Sequence, residues 1–339
     1  MNPSKLKRAA KLTAMRCVRS TGAYSFSANS ARRKRELLIL CYHGIALRDE
    51  HLWAGDLFIT DERFRQRLTA LRDLKANVLP LNEALKRLQT GTLPDRAVSI
   101  TFDDGLYDFR SRAVPALADF GFPATLYFTT YYSGLKFPII DLVLNYLLWK
   151  SAETSIDFPE QGILRPMPIR NRVERAAVNR NLLAWFDSAK LDTLAKDQFA
   201  RQLANRLAVD YDEILRSRIL QIMTPEEAAQ AAAAGIDLQL HTHRHRTPQV
   251  HDLFLKEIAE NSRRIEEISG NKPLHFCYPS GDSDPVFLPW LRGCGIKSAA
   301  TCLRGFAQPK SDPLLLPRVL DDSNMDPVEF EGVVSGLFA

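Results

Sequence analysis

The chain has 339 residues, 45% of them hydrophobic and 25% charged, which is the profile of a globular protein with enough chain for one large domain or two ordinary ones. That balance excludes a disordered chain, a collagen-like repeat and a disulfide-stapled miniprotein. The net charge of +5 is unevenly placed: residues 1–35 hold ten Lys or Arg and no acid, and the remainder holds 35 basic against 40 acidic residues.

Residues 1–36 read as a basic N-terminal tail. Leu6, Ala10, Ala14 and Val18 fall on one stripe at helical spacing, with Lys and Arg elsewhere. The segment is expected either to be solvated or to lie on an anionic membrane surface through residues 1–35. Basic residues interrupt every apolar run before Glu36, which argues against a secretory leader. The expected location is therefore cytoplasmic, peripheral at the inner membrane face. No run of eighteen apolar residues occurs, so no spanning helix is expected. No zinc-finger, RNP or helix-turn-helix pattern accompanies the charge, so nucleic acid is not an expected partner. Five cysteines without a CxxC pair do not suggest a disulfide framework.

From residue 37 to 339 strand-like and helix-like segments alternate. Leu37–Tyr42, Ala97–Phe102 and Ala124–Thr129 are continuous apolar runs, as expected of strands buried on both faces. Thr60–Leu74 and Asn82–Leu88 have helical period, and Leu106–Phe120 is a helix closed by Gly121. From about residue 131 to 223 the rhythm breaks into a mainly helical insertion, with helices at Val173–Trp185 and Leu191–Leu207 and one proline-bounded stretch from Gly162 to Ile169. It resumes at Thr224-Pro-Glu-Glu227, a capping box with proline at the first helical position. Strands follow at Ile236–Leu240, His275–Tyr278, Ser298–Leu303 and Leu314–Val319, with a helix from His251 to Ser269. Serial βα units predict a parallel sheet, open or closed into a barrel, with ligands at the carboxyl ends of its strands.

Two polar clusters follow strands directly. Asp103-Asp104-Gly105 places adjacent carboxylates at a strand end, where they repel unless a cation or a shared proton lies between them. The alternative is a helix N-cap pair. His241-Thr-His243-Arg-His245 offers imidazoles at a spacing that can converge on one metal. Spacing leaves open which of the three bind, with His241 and His245 the preferred pair. One Asp and two His would hold a divalent metal, zinc first among those that suit imidazole, with iron, cobalt or manganese accepted. The second Asp would serve as base. Such a set suits hydrolysis of an amide or ester.

Ser99-Ile-Thr-Phe-Asp-Asp-Gly105 and His241-Thr-His-Arg-His245 resemble the first two signature motifs of the NodB-like polysaccharide deacetylases (carbohydrate esterase family 4), and Phe276-Cys-Tyr-Pro-Ser-Gly281 resembles a variant of the third. The resemblance spans Leu37 to Val319, interrupted by the insertion. It implies a distorted barrel of the (β/α)7 type, with Asp103 as base and Asp104, His241 and His245 as metal ligands. Two features depart from the family. The third motif lacks the arginine that positions the catalytic aspartate, and Arg318 is the candidate to replace it. The late histidine that acts as general acid is missing, since no histidine follows His275. Cys41-Tyr-His43 resembles the early Tyr-His of the poly-N-acetylglucosamine deacetylases, which makes His43 the candidate acid. Tyr278, Pro279 and Gly281 are expected to contact substrate, with backbone N–H groups near an oxyanion.

The reading is a metal-dependent hydrolase that removes N-acetyl groups from an N-acetylated polysaccharide, glycolipid or lipid-linked sugar. Its alternatives are a non-catalytic carbohydrate-binding protein on the same fold and a hydrolase of a non-sugar amide.

Overall fold

The computed structural model describes residues 3–159 and 163–337. The chain forms two compact units, one of Met1–Ala46, Ala54–Gly134 and Met223–Ala339, the other of Leu47–Trp53 and Leu135–Ile222.

The first unit is a closed barrel of seven parallel strands: β1 Leu38–Tyr42, β2 Ala97–Phe102, β3 Ala124–Phe128, β4 Asp237–Leu240, β5 His275–Cys277, β6 Ser298–Arg304 and β7 Leu316–Leu320. Around the ring the order is β1-β7-β6-β5-β4-β3-β2, and β2 returns to β1 in register from Leu38 opposite Val98 to Tyr42 opposite Phe102. The expected fold class is found. β1, β2 and β3 are buried along their whole length, which is why their sequences run apolar without alternation. A two-residue strand, Asn77–Val78, extends the sheet beside β2, and a short parallel pair, Gly44–Ala46 with Phe58–Thr60, was not expected from the sequence.

Local chemistry sets the helix boundaries. Thr60 caps the helix Asp61–Asp73 by accepting from the Arg63 N–H. The capping box at Thr224 forms with Glu227. The helix expected over Leu106–Phe120 is different in detail: Phe109–Ala113 is a π-helical turn and Val114–Phe120 is α-helical. Pro115 has no N–H to complete the α-helical ladder at this point, and the preceding turn is widened.

The segment expected as a basic tail is not a solvated arm. Pro3–Ser20 is a helix whose Met15 is buried with Tyr24 and Val328, and Leu12 and Val18 pack against them. The stripe Leu6, Ala10 and Ala14 is instead exposed, because these small or terminal side chains bury less apolar surface than the Leu12–Met15–Val18 face. Lys11 and Arg19 reach Glu329 and Glu331 at 2.7 Å on the helix Pro327–Val334. Arg33 is 1% exposed and donates to the carbonyls of Glu36, Ala97 and Val334. Much of the early basic charge thus has partners within the chain. No described helix is long and apolar enough to cross a membrane.

The second unit contains the helices Ile140–Lys150, Arg172–Ser188, Thr193–Arg206 and Tyr211–Ser217. Ser155–Phe158 pairs antiparallel with Ile163–Pro168. The start of the proline-bounded stretch, Gly162, lies outside the described residues. The core of this unit is aromatic, with Phe199 against Trp185 and Phe186 at 5.4 and 5.2 Å between ring centroids.

A buried ion pair ties the carboxyl end of β7 to the helix Asp61–Asp73. Arg67 Nε donates to Asp321 Oδ2 at 2.9 Å, both side chains are at most 2% exposed, and the Tyr42 hydroxyl donates to the same oxygen. Asp321 Oδ1 has no partner among the described residues. Removing the cation alone strands a buried carboxylate. Arg67→Met is expected to lower unfolding free energy by about 3–5 kcal/mol, measured by urea denaturation.

Candidate active site

The site forms at the carboxyl ends of the barrel strands, where sequence reasoning expected both clusters. Asp103 and Asp104 follow β2, and the turn sends them in different directions. Asp104 has φ +70° and Gly105 φ +89°. A Cβ on Gly105 would lie 2.3 Å from the Phe128 ring, so only glycine fits there. Neither carboxylate takes up the helix-cap role: one faces an arginine and the other two histidines.

Asp103 is 2% exposed and takes both of its oxygens to Arg318, with Nη1 to Oδ1 and Nη2 to Oδ2 each at 2.8 Å. Arg318 projects from β7, is fully buried, and also donates from Nε to the Thr301 carbonyl at 3.0 Å. Its guanidinium lies 5.6 Å from the Tyr127 ring centroid. Two thiols complete this pocket: the Cys277 and Cys41 S–H groups point to Asp103 Oδ2 at 3.4 and 3.6 Å. Burial alone would raise the Asp103 carboxyl, but Arg318 outweighs it and holds the group well below the usual carboxylate range. Burial pushes both thiols well up, so they stay protonated donors.

Asp104 faces the histidine cluster. Its Oδ1 is 3.2 Å from both His241 Nε2 and His245 Nε2. His243 turns away, with Nδ1 2.9 Å from the Thr130 hydroxyl and Nε2 3.7 Å from Glu260. The structure therefore brings together Asp104, His241 and His245, and not the middle histidine. Burial would raise Asp104, but while the rings are protonated the His245 charge and the hydrogen bonds from His241 and His245 hold it well below its ordinary value.

The donor set fits a divalent metal. His241 Nδ1 lies 2.9 Å from the Cys277 carbonyl, which can only accept, so a neutral ring carries its proton there. Nε2 then presents a bare lone pair to an ionised carboxylate oxygen at 3.2 Å. Two such acceptors repel without a cation between them. Donors around a tetrahedral ion at about 2.1 Å sit about 3.4 Å apart, close to the 3.2 Å that separates Asp104 Oδ1 from each histidine nitrogen.

His43 follows β1 and is half-buried, with Nε2 3.8 Å from Asp103 Oδ2. The chain beyond it is fixed by Asp108, whose Oδ1 accepts from the Ile45 N–H at 2.9 Å. A Cβ on Gly44 would overlap the Phe58 ring at 2.3 Å.

The third motif departs from expectation. Tyr278 is 1% exposed, its hydroxyl donates to the Leu314 carbonyl at 3.0 Å, and its ring packs on Phe276. It is a core residue, not a substrate contact. Pro279 is buried in a tight turn, and the Gly281 N–H donates back to the Tyr278 carbonyl at 3.1 Å. The Tyr278 N–H donates to the Ala300 carbonyl. These amides serve the turn and the sheet, so the expected oxyanion donors are not available from them.

Sequence reasoning missed the helix His251–Ser269 as the support of the histidine loop. Asn261, fully buried, accepts from the His241 N–H at 2.9 Å and donates to the Phe128 carbonyl and the Thr130 hydroxyl. One turn earlier, buried Glu257 accepts from the Arg244 N–H and from both Arg244 and Arg246 side chains. The available signal was two polar residues at i, i+4 on a face otherwise made of Phe254, Ile258 and Ile265. The loop they hold carries Thr242 and His245 at positive φ, a conformation that needs such over-determination.

Comparisons with known proteins agree with the motifs. The polysaccharide deacetylase family model matches residues 193–299, which include the histidine cluster. The chain is 28% identical over 134 residues to a poly-beta-1,6-N-acetyl-D-glucosamine N-deacetylase of Staphylococcus epidermidis, a match that covers 36% of this chain and 46% of that protein. The match thus spans about half the length of that relative. Two solved structures share the fold. The Streptococcus pyogenes deacetylase PplD in complex with acetate is 18% identical with a TM-score of 0.57, covering 87% of this chain and 96% of that one. IcaB from Ammonifex degensii is also 18% identical, with a TM-score of 0.55, covering 90% of this chain and 97% of that one.

Replacing Asn261 by Leu frees the His241 backbone while keeping the helix apolar. Metal affinity is expected to fall about 10- to 100-fold, read by competition with a chelating dye. Unchanged affinity would remove Asn261 from the supporting structure of the site.

Proposed function

We propose that this chain, a NodB-like polysaccharide deacetylase by its motifs and its matches, is a metal-dependent hydrolase of N-acetyl groups on an N-acetylated glycan or lipid-linked sugar. The observation that supports this most is the juxtaposition at one barrel end of an arginine-held aspartate and a separate Asp-His-His donor set. The name of the staphylococcal relative makes β-1,6-linked N-acetylglucosamine oligomers the first substrates to try.

Asp104, His241 and His245 would hold the metal. A divalent ion there supplies Lewis acidity, polarising the acetyl carbonyl and acidifying water. That chemistry suits the residues present, because an aspartate held low by Arg318 is a weak base and needs an acidified proton to accept. Asp103 takes the proton from the attacking water. Arg318 fixes both oxygens of Asp103, so it positions the base and does not touch substrate. As the C–N bond breaks, the nitrogen of the leaving amine needs a proton, and His43 is the half-buried imidazole beside Asp103 that can deliver it. Products are acetate and the free amino sugar.

Metal analysis and acetate release test the reading together. Purified protein is expected to carry near one equivalent of divalent metal, retained by Asp103→Asn and lost by Asp104→Ala and His241→Ala. Asp103→Asn is expected to lose at least about 10²–10⁴-fold in kcat on β-1,6-linked N-acetylglucosamine oligomers. Undiminished turnover by that variant would sink the assignment of the base. His43→Gln is expected to lower kcat by about 10²–10⁴-fold with KM little changed; equal loss of binding would make His43 a substrate contact instead.

A further inference from the structure

The amino-terminal end of the barrel, opposite the candidate active site, contains a cavity of about 310 Å³. It opens where β5, β6 and β7 begin, between the helix Leu81–Thr90 and the loop that precedes β7. Its polar lining includes Lys86 on that helix, Lys297 before β6, His275, Ser298, Gln308 and Ser311, and the described lining contains no carboxylate. Among the described residues neither lysine has an acidic partner. Of the acids close to the lining in sequence or contact, Glu83 pairs with Arg87 and Asp312 with Arg292, while Glu36 accepts from Gln308 and Arg32 through Oε1 and keeps a buried Oε2 with no partner among the described residues.

A second observation points to a ligand. His275 is 2% exposed, and its Nε2 is buried with no hydrogen-bond partner. Its Nδ1 is engaged by the Ser298 hydroxyl at 2.8 Å, and its backbone N–H donates to the Gln239 side chain at 2.7 Å. The ring is therefore fixed in place with one nitrogen unanswered, which costs desolvation free energy unless a partner arrives. Burial and the nearby Lys297 ammonium pull its pKa down to about 4, so the ring is neutral at ordinary pH. A neutral ring offers Nε2–H when Ser298 donates to Nδ1. Barrel ends of this kind ordinarily serve stability, with apolar plugs and satisfied polar groups. A cavity lined by two ammonium groups and an orphan imidazole does not fit that role.

We propose that this cavity binds a small anionic metabolite carrying a phosphate or carboxylate group, seated between Lys86, Lys297 and His275. The two lysines supply charge, and the imidazole lines the space with a nitrogen that no protein group satisfies. Leu85, Leu88 and Leu316 supply an apolar wall for the carbon skeleton. The space is about ten times the roughly 30 Å³ share of one water molecule, enough for a ligand the size of a sugar phosphate or a tricarboxylate. The site is independent of the proposed deacetylase activity and is tested without it.

Isothermal titration of the full chain with glucose 6-phosphate, with citrate and with glucose decides the matter. Saturable binding of one or both anions with Kd below about 5 mM is expected, with glucose silent; the responding arm identifies phosphate or carboxylate as the recognised group. Lys86→Met and Lys297→Met, both at exposed positions, are each expected to weaken that binding about tenfold. His275→Gln should weaken it as well, and Asp104→Ala should leave it unchanged. No saturation by either anion up to about 20 mM, equal binding of glucose, or binding that survives both lysine substitutions would overturn the proposal.

Discussion

The pairing of Arg318 with Asp103 is the constraint around which the barrel is arranged. Two charges taken fully out of water are costly, and their attraction offsets the loss only with near-ideal geometry and every remaining donor answered. Here the geometry is bidentate, and the guanidinium also reaches the Thr301 carbonyl, the Thr101 hydroxyl at 3.3 Å and Cys277 Sγ at 3.0 Å. Those partners sit on β2, on β5 and on β6, so the pair exists only when the ring is closed. β1 lies between β7 and β2, and its closure brings the last strand within reach of the first motif. Fold and site are thereby one cooperative object: an unclosed sheet would leave a naked arginine and a naked aspartate.

The same pair explains how two adjacent carboxylates take different work. Asp103 is held by a fixed cation and two protonated thiols, so its orientation is set and its charge is permanent at neutral pH. Asp104, turned over by its positive φ, meets only the two imidazoles, which are removable partners from the standpoint of a metal. The split follows the general pattern in which environment, not residue type, sorts acid, base and ligand roles among neighbouring carboxyls. The left-handed conformations at Asp104, Thr242 and His245 all lie at this one end of the barrel, and the helix His251–Ser269 supplies the hydrogen bonds that hold the histidine loop in its strained form.

What the sequence made legible was whatever depends on near neighbours. Strands buried on both faces announce themselves as apolar runs, and a polar pair directly after such a run lands at the carboxyl edge of the sheet. Hence β1 to β3 and the Asp and His clusters could be read without coordinates. Features that depend on distant partners could not. Whether Tyr278 faces substrate or core turns on Leu314, which is 36 residues away. The docking face of the first helix was misread because its partner, Val328, lies at the other end of the chain. The work of Asn261 and Glu257 depends on the histidine loop that folds over them. Arg318 was legible only as a replacement for a missing arginine, since nothing local distinguishes it from any residue of a short strand.

In the proposed reaction, a weak base poses the sharpest chemical demand on this site. A carboxylate stabilised by a buried guanidinium gives up basicity in return for fixed orientation, and general-base catalysis favours a group whose pKa lies near the working pH. Two remedies exist: a partner that acidifies the proton to be removed, or a weaker arginine contact. The geometry excludes the second, because both Asp103 oxygens meet Arg318 at 2.8 Å and burial removes competing water. In the proposed reaction the first calls for a cation next to the reacting water. The facing lone pairs of His241 and Asp104 ask for a cation at the same place on independent grounds. Basicity at one carboxylate and repulsion at its neighbour thus converge on one requirement. That convergence is why the arginine from β7 and the donor set from β2 and β4 make chemical sense only together.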